Sequence, residues 1–246
     1  MSVKKVLQKI QSLRADGKKA LAVLLDPDKL TDREKTDKLL EMAHACGVDF
    51  FLIGGSLITE AKCEERIKYI HDKSKIPVIL FPGSPMQLTP HVDAVLFLSL
   101  ISGRNPEFLI GHHVVAAPKI KELGLETIAT GYMLVDCGKP TTASYMSATP
   151  PIPHNKPGIA ATTAMAGEML GLQCLYLDGG SGADKPVSTE MIEAVRNTTD
   201  LPLIVGGGLR SADQMEQAYK AGADVLVIGT ALEENPELLF EVGSSL

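Results

Sequence analysis

Short apolar runs alternate with amphipathic stretches along the whole chain. The runs Leu21–Leu25, Phe50–Ile53, Pro77–Phe81, Ala94–Leu98, Thr127–Val135, Cys174–Leu177, Pro202–Val205 and Val225–Ile228 read as eight strands. Most are apolar on both faces, as in a parallel sheet covered by helices outside and filled with side chains inside. Helical spacing follows most of them, at Asp32–Cys46, Leu57–Asp72, Pro106–Leu123, Ile159–Leu170, Ser188–Asn197, Ala212–Ala221 and Pro236–Val242. Thr31 and Ser211 are placed to cap two of these helices, while Gly47, Gly171 and Gly222 are placed to end three. A further helix at the amino terminus gathers Val3, Val6, Leu7, Ile10 and Leu13 on one face, so it packs on something.

Strands alternating with helices imply parallel pairing and right-handed crossovers, and eight such units in 246 residues predict a single-domain (β/α)8 TIM barrel. An open doubly wound sheet is disfavoured, because Asp26-Pro27-Asp28-Lys29 stands where a dinucleotide fingerprint would follow the first strand. The alternation breaks twice. Between strands three and four lie only residues 82–91, with three prolines, too few and too Pro-rich for a covering helix. The third outer helix is therefore expected to be missing, leaving an apolar groove on the flank that adjoins Leu98–Ile101. After strand five, Asp136–Asn155 is long and, apart from Asp136 and Lys139, uncharged. Such a loop on a barrel's catalytic face reads as a lid or binding loop.

Composition narrows the function. Lys plus Arg is 24 against 30 Asp plus Glu, a net charge of −6, which argues against a nucleic-acid footprint. Cys46, Cys63, Cys137 and Cys174 are scattered without a C-x-x-C pair, which fits reduced thiols in a cytoplasmic protein. No apolar run approaches the ~18–20 residues of a membrane span. The six histidines show no metal-ligand spacing, and no G-x-S-x-G elbow is present.

In a barrel of this kind the chemistry sits where strands end. Strand seven runs into Gly206-Gly207-Gly208 and strand eight into Gly229-Thr230, glycine turns at the two strands where barrels bind phosphate. Strand six ends Tyr176-Leu177-Asp178-Gly179-Gly180-Ser181-Gly182, and period-two alternation puts Tyr176 and Asp178 on one face, opposite Leu177. A carboxylate there can accept a hydrogen bond from a substrate hydroxyl or take its proton; a turn-capping Asp beside a core Tyr is the competing reading. Asp26 ends strand one, where a carboxylate suits Mg2+, an ion that keeps several water or substrate ligands. Capping of the Pro27 turn is its alternative. Asp28 and Lys29 read as solvated loop charges. Gly54-Gly55-Ser56 after strand two is either a tight turn or a hydroxyl set near the metal.

In this order, the motifs from Leu25-Asp26-Pro27-Asp28-Lys29 to Ile228-Gly229-Thr230 resemble the geranylgeranylglyceryl phosphate synthases, prenyltransferases on a (β/α)8 barrel. The segment from Gly131-Tyr132 to Lys156, with Thr149-Pro150-Pro151-Ile152-Pro153, is most similar to the larger family group, found in archaea and some bacteria. The resemblance implies a Mg2+-dependent transfer of a polyprenyl group from its diphosphate, such as geranylgeranyl diphosphate, to the 3-hydroxyl of sn-glycerol 1-phosphate. It further implies that Asp26 and Ser56 hold the metal. Tyr176, Leu177, Asp178, Gly179, Gly180, Ser181, Gly182, Gly207, Gly208, Gly229 and Thr230 would hold glycerol 1-phosphate, with Asp178 and Tyr176 at the reacting hydroxyl, in a homodimer or ring of dimers. Two departures stand out: Asp178 is one methylene shorter than the Glu of many members, and Thr230 replaces the Asn of some. The rival readings are a phosphate-binding isomerase or aldolase, and a barrel that binds a phosphate ligand without turnover. A Schiff-base aldolase would need a lysine in a strand core, and none of the eight runs has one.

Overall fold

Each of the eight apolar runs forms a strand, and because both faces are apolar each is buried over most of its length; the fourth is only half-buried at residues 97–99. The computed structural model describes residues 5–58, 62–235 and 237–243. Strands β1 (Ala20–Leu25), β2 (Phe50–Ile53), β3 (Val78–Leu80), β4 (Ala94–Leu100), β5 (Glu126–Leu134), β6 (Cys174–Asp178), β7 (Leu203–Gly206) and β8 (Val225–Ile228) pair in parallel in chain order. The last returns to the first, closing the barrel. Side-chain alternation sorts the core into two layers. Ala22, Phe50, Leu52, Ile79, Leu96, Ile128, Tyr176, Ile204 and Val227 fill the interior. Leu21, Val23, Phe51, Ile53, Leu80, Val95, Leu175, Leu177, Val205 and Leu226 face the helices outside.

The helices are α1 (Lys5–Ala15), α2 (Arg33–Ala45), α3 (Cys63–Lys73), α4 (His112–Leu123), α5 (Thr142–Ser147), α6 (Pro157–Met169), α7 (Thr189–Arg196), α8 (Ala212–Lys220), α9 (Thr230–Glu234) and α10 (Leu238–Gly243). Of the expected helices, Val3, 59–61 and Pro236 lie outside the described residues. Ser211 caps α8 through its side chain. Thr31 does not cap α2: Asp32 does, its Oδ1 accepting from the N–H groups of Glu34 at 3.0 Å and Lys35 at 3.2 Å. An ionised acceptor is the stronger partner for first-turn N–H groups.

Helix α1 packs its Val6, Leu7 and Ile10 against the interior layer, so it closes the amino-terminal end of the barrel. Its first turn is held from 120 residues away: the buried Glu126 carboxylate, at the start of β5, accepts from Val6 N–H at 3.0 Å and Leu7 N–H at 2.8 Å. The third outer helix is missing as expected. In its place stands one 3-10 turn, Pro85–Gln87, capped by Ser84. Gln87 ties the turn to the strand ends, accepting from Gly83 N–H at 2.9 Å and donating to the Gly55 carbonyl at 3.1 Å. The long segment after β5 is more ordered than a plain lid. It contains α5, which opens on a reciprocal Thr141–Ser144 capping box, and its Ile152 is buried and bridged to Val135.

Candidate active site

The carboxyl ends of the strands surround a cavity of about 1070 Å3, counting the part open to solvent. It is lined by Asp26, Ser56, Tyr176, Asp178, Gly180, Ser181, Gly182, Gly207, Gly208, Gly229 and Thr230, so most of the residues singled out by the sequence meet there. Leu177 and Gly179 do not line it. Alternation turns the Leu177 side chain into the outer layer, and Gly179 is closed in, with its N–H on the Gly206 carbonyl at 2.9 Å and Cys137 Sγ 2.9 Å from where a Cβ would stand. Any part these two play in the site is through the backbone.

Three turns converge on one side. The Ser181 hydroxyl, after β6, lies 3.2 Å from the Thr230 hydroxyl, after β8, and Gly207 and Gly208, after β7, line the same space. Gly208 has φ +74°, and a Cβ there would stand 2.3 Å from the Lys185 carbonyl oxygen. The turn thus requires glycine for its own conformation, and not only for the approach of a ligand. Hydroxyls and glycine backbone in such a concavity suit a phosphate. Arg210 adds a cation at the rim and is anchored to the Ala183 carbonyl at 3.1 Å; lone arginines are common on surfaces, so spacing did not single it out. Lys29, which read as a solvated loop charge, lines the cavity as well.

Asp178 stands at the centre, only 7% exposed. Tyr132 donates its hydroxyl to Asp178 Oδ2 at 2.6 Å and Gly180 donates its N–H to Oδ1 at 2.6 Å. Burial raises the Asp178 carboxyl above the ordinary aspartate value, and the two hydrogen bonds pull part of that rise back. Tyr176 is fully buried beside it. Its ring stacks on Phe81 at 5.3 Å and meets Tyr132 edge-on at 5.6 Å. Burial and the neighbouring Asp178 charge push both phenols well above their usual range, so both stay protonated. Strand register explains the cluster, since Tyr132 pairs with Tyr176 and Leu134 with Asp178. Sequence reasoning passed over Tyr132; its signal was an inward-facing aromatic near the end of a strand that pairs with the Asp178 strand.

On the other side, Asp26 Oδ1 accepts from Asp28 N–H at 3.0 Å and lies 3.9 Å from where a Cβ on Gly55 would stand, next to Ser56. A carboxylate and a hydroxyl at adjacent strand ends are hard oxygen donors, few in number, and fit an ion that leaves most of its coordination to water and substrate. Among the described residues no group of three or more His, Cys, Asp or Glu side chains is gathered as a denser metal site.

A second, apolar cavity of about 890 Å3 opens from this one along the flank where the outer helix is missing. Its walls are Pro82–Pro85 and Leu88, strand β4 from Val95 to Leu98 with Leu100, and, from the turn before α4 and α4 itself, Phe108, His112, His113, Ala116 and Ile120. Tyr132, Phe81 and Ser56 border both cavities. Ile101, expected along this groove, points the other way, its Cδ1 lying 2.8 Å from where a Cβ on Gly131 would stand.

A model of the PcrB family matches residues 16–243. A geranylgeranylglyceryl phosphate synthase of Spirosoma linguale is 54% identical over 230 residues, covering 94% of this chain and 92% of that one. One from Chitinophaga pinensis is 48% identical over 95% and 92% respectively. Among solved structures, (S)-3-O-geranylgeranylglyceryl phosphate synthase from Thermoplasma acidophilum, in complex with its substrate sn-glycerol-1-phosphate, superposes with a TM-score of 0.91 at 30% identity. That match covers 99% of this chain and 98% of the other.

Proposed function

The chain belongs to the PcrB family, and from that premise we propose that it joins sn-glycerol 1-phosphate to geranylgeranyl diphosphate or a related polyprenyl diphosphate, releasing diphosphate. One observation carries the reading: a polar cavity with a phosphate-type cradle and a long apolar groove share a border at Tyr132, beside Asp178. Prenyl transfer to a small phosphorylated alcohol needs a small polar acceptor and a long apolar donor to meet at one point.

In this reading the Gly207-Gly208 turn, Gly229, Thr230 and Ser181 hold the acceptor's phosphate, which aims its free hydroxyl at Asp178. The allylic carbon–oxygen bond of the donor breaks, the acceptor oxygen bonds to that carbon, and the hydroxyl proton passes to the Asp178 carboxylate. Tyr132 and Gly180 keep that carboxylate oriented, and the groove aligns the tail while excluding water from the reacting carbon. Asp26 and Ser56 would hold Mg2+, which when bound neutralises charge on the diphosphate leaving group.

The enzyme is expected in the cytoplasm, in line with four cysteines that form no disulfide. Among the described residues no helix is long and apolar enough to cross a membrane. A homo-oligomer is also part of the proposal, supported by the apolar residues Val114 and Val115 on α4 and Ile159 and Met169 on α6, all exposed in the single chain. Light scattering reads its mass. The deciding assay is incubation with Mg2+, labelled sn-glycerol 1-phosphate and C10 to C20 prenyl diphosphates, with the lipid product identified by mass. Absence of any ether product, or equal use of glycerol 3-phosphate, would count against the reading.

A further inference from the structure

Two of the segments that line the groove also carry large side chains turned to solvent, and together they form an apolar rim beside it. Met86, on the 3-10 turn after β3, is 94% exposed, and Tyr145, on α5 after β5, is 84% exposed. These two segments also line the groove, one through Pro85 and the other through Ala143 and Met146, on either side of β4 in the barrel order. Residues 82–88, 142–147 and 55–57 carry no charged side chain. Neither Met86 nor Tyr145 lines the groove or the polar cavity, so neither is exposed in order to bind substrate.

We propose that this uncharged apolar rim docks on the surface of a lipid bilayer, so that the prenyl donor slides into the groove, and the lipid product leaves it, without crossing water. The inference rests on the prenyl-transfer reading above. That reading also selects the occupant: whatever covers the rim must let a long apolar chain pass through it. A fluid bilayer allows this, whereas a packed protein face would seal the groove. An exposed tyrosine and an exposed thioether on these two segments suit the boundary between headgroups and acyl chains. Charge selects the kind of bilayer. The chain carries −6 overall and the rim has no Lys or Arg, so docking is by apolar insertion, without help from anionic lipid. With only a few side chains inserted, the association is weak and reversible.

The test is flotation of the full chain with phosphatidylcholine vesicles, with and without added phosphatidylglycerol, at low and physiological salt. The variant is the double substitution Met86→Ser, Tyr145→Ser, at two positions exposed enough to leave the fold unchanged. The wild type should float with neutral vesicles at both salt concentrations, and the variant's partition coefficient should fall about tenfold or more. Turnover of a water-soluble C10 donor should be the same in both, while turnover of a C20 donor presented in vesicles should fall in the variant. The proposal is overturned if the wild type does not float, if the variant floats equally well, or if binding needs phosphatidylglycerol and disappears with salt. It is likewise overturned if the variant changes the oligomeric mass, which would make the rim an interface between copies. Absence of C10 turnover in the wild type would defeat the functional reading, while flotation still reports on docking by itself.

Discussion

Substituting Ala116→Trp should shorten the prenyl donor that the enzyme prefers. The groove wall from Phe108 to Ile120 covers twelve residue steps, about 18 Å at the helical rise of about 1.5 Å. The opposite wall, Val95 to Leu100 on β4, gives about 16 Å at about 3.3 Å per residue. An extended isoprene unit spans about 5 Å, four carbon–carbon bonds of about 1.5 Å projected along the chain, so the groove takes between three and four units. Ala116 lies one turn before Ile120, the last residue of α4 that lines the groove. An indole there would displace at least the last unit, whose five carbons contribute up to about 4 kcal/mol at about 0.8 kcal/mol each. Incomplete burial and some shift of the indole leave about half, which corresponds to about 30-fold. The expected result is therefore a fall of about 30-fold or more in kcat/KM for the C20 donor relative to C10, with the KM for glycerol 1-phosphate unchanged. Circular dichroism and Tm check the fold, and Ala116→Leu should give a smaller shift in the same direction. Ile101→Trp is the control: Ile101 packs toward Gly131 and Gly167, away from the groove, so it should lower Tm without moving chain-length preference. If both Ala116 variants fold and chain-length preference does not move, the tail lies elsewhere and the groove assignment is wrong.

Four further outcomes follow from the same geometry. Tyr132→Phe removes a hydrogen bond that holds the Asp178 carboxyl down, so the acid limb of the pH–kcat profile should move to higher pH; an unmoved limb would show that Asp178 is not the titrating base. Asp26→Ala should cut turnover by about 10²-fold or more while Tm stays near wild type, because a metal contact worth several kcal/mol is lost from a strand end outside the core; near-full activity at saturating Mg2+ would overturn the metal assignment. Glu126→Ala leaves two first-turn N–H groups of α1 without their acceptor and should cost about 1–3 kcal/mol in denaturant unfolding, with the donor preference unaffected. For Asp178, a folded pKa raised above the ordinary 3.8 means that its stabilising contribution is present below that value and is lost as pH rises through the folded value. Asp178→Asn should accordingly match or exceed the wild-type Tm at pH 7, lose that advantage near pH 3, and be catalytically impaired throughout.

The eight strands, the closed barrel and the empty place of the third outer helix were legible in the sequence, because strand burial and proline chemistry act locally and with a fixed period. The strand-end segments were legible for a related reason: in a parallel barrel every strand delivers its last residues to the same face, so Asp26, Ser56, Asp178 and the glycine turns had to converge. What the sequence did not show lies across strands or across the whole chain. Tyr132 meets Asp178 only through the register of β5 on β6, and Glu126 holds α1 across 120 residues. Ile101 follows the alternation of β4 into the helix layer, but that it meets Gly131 of β5 and Gly167 of α6, away from the groove, is settled only by how those elements pack. At Thr31 and Asp32 two capping side chains competed one residue apart, and only the helix's actual start decided between them. Periodicity determined which face each residue of an element presents. The closing of the barrel decided which of those faces meet, because register and packing are set by contacts between segments that no local pattern encodes.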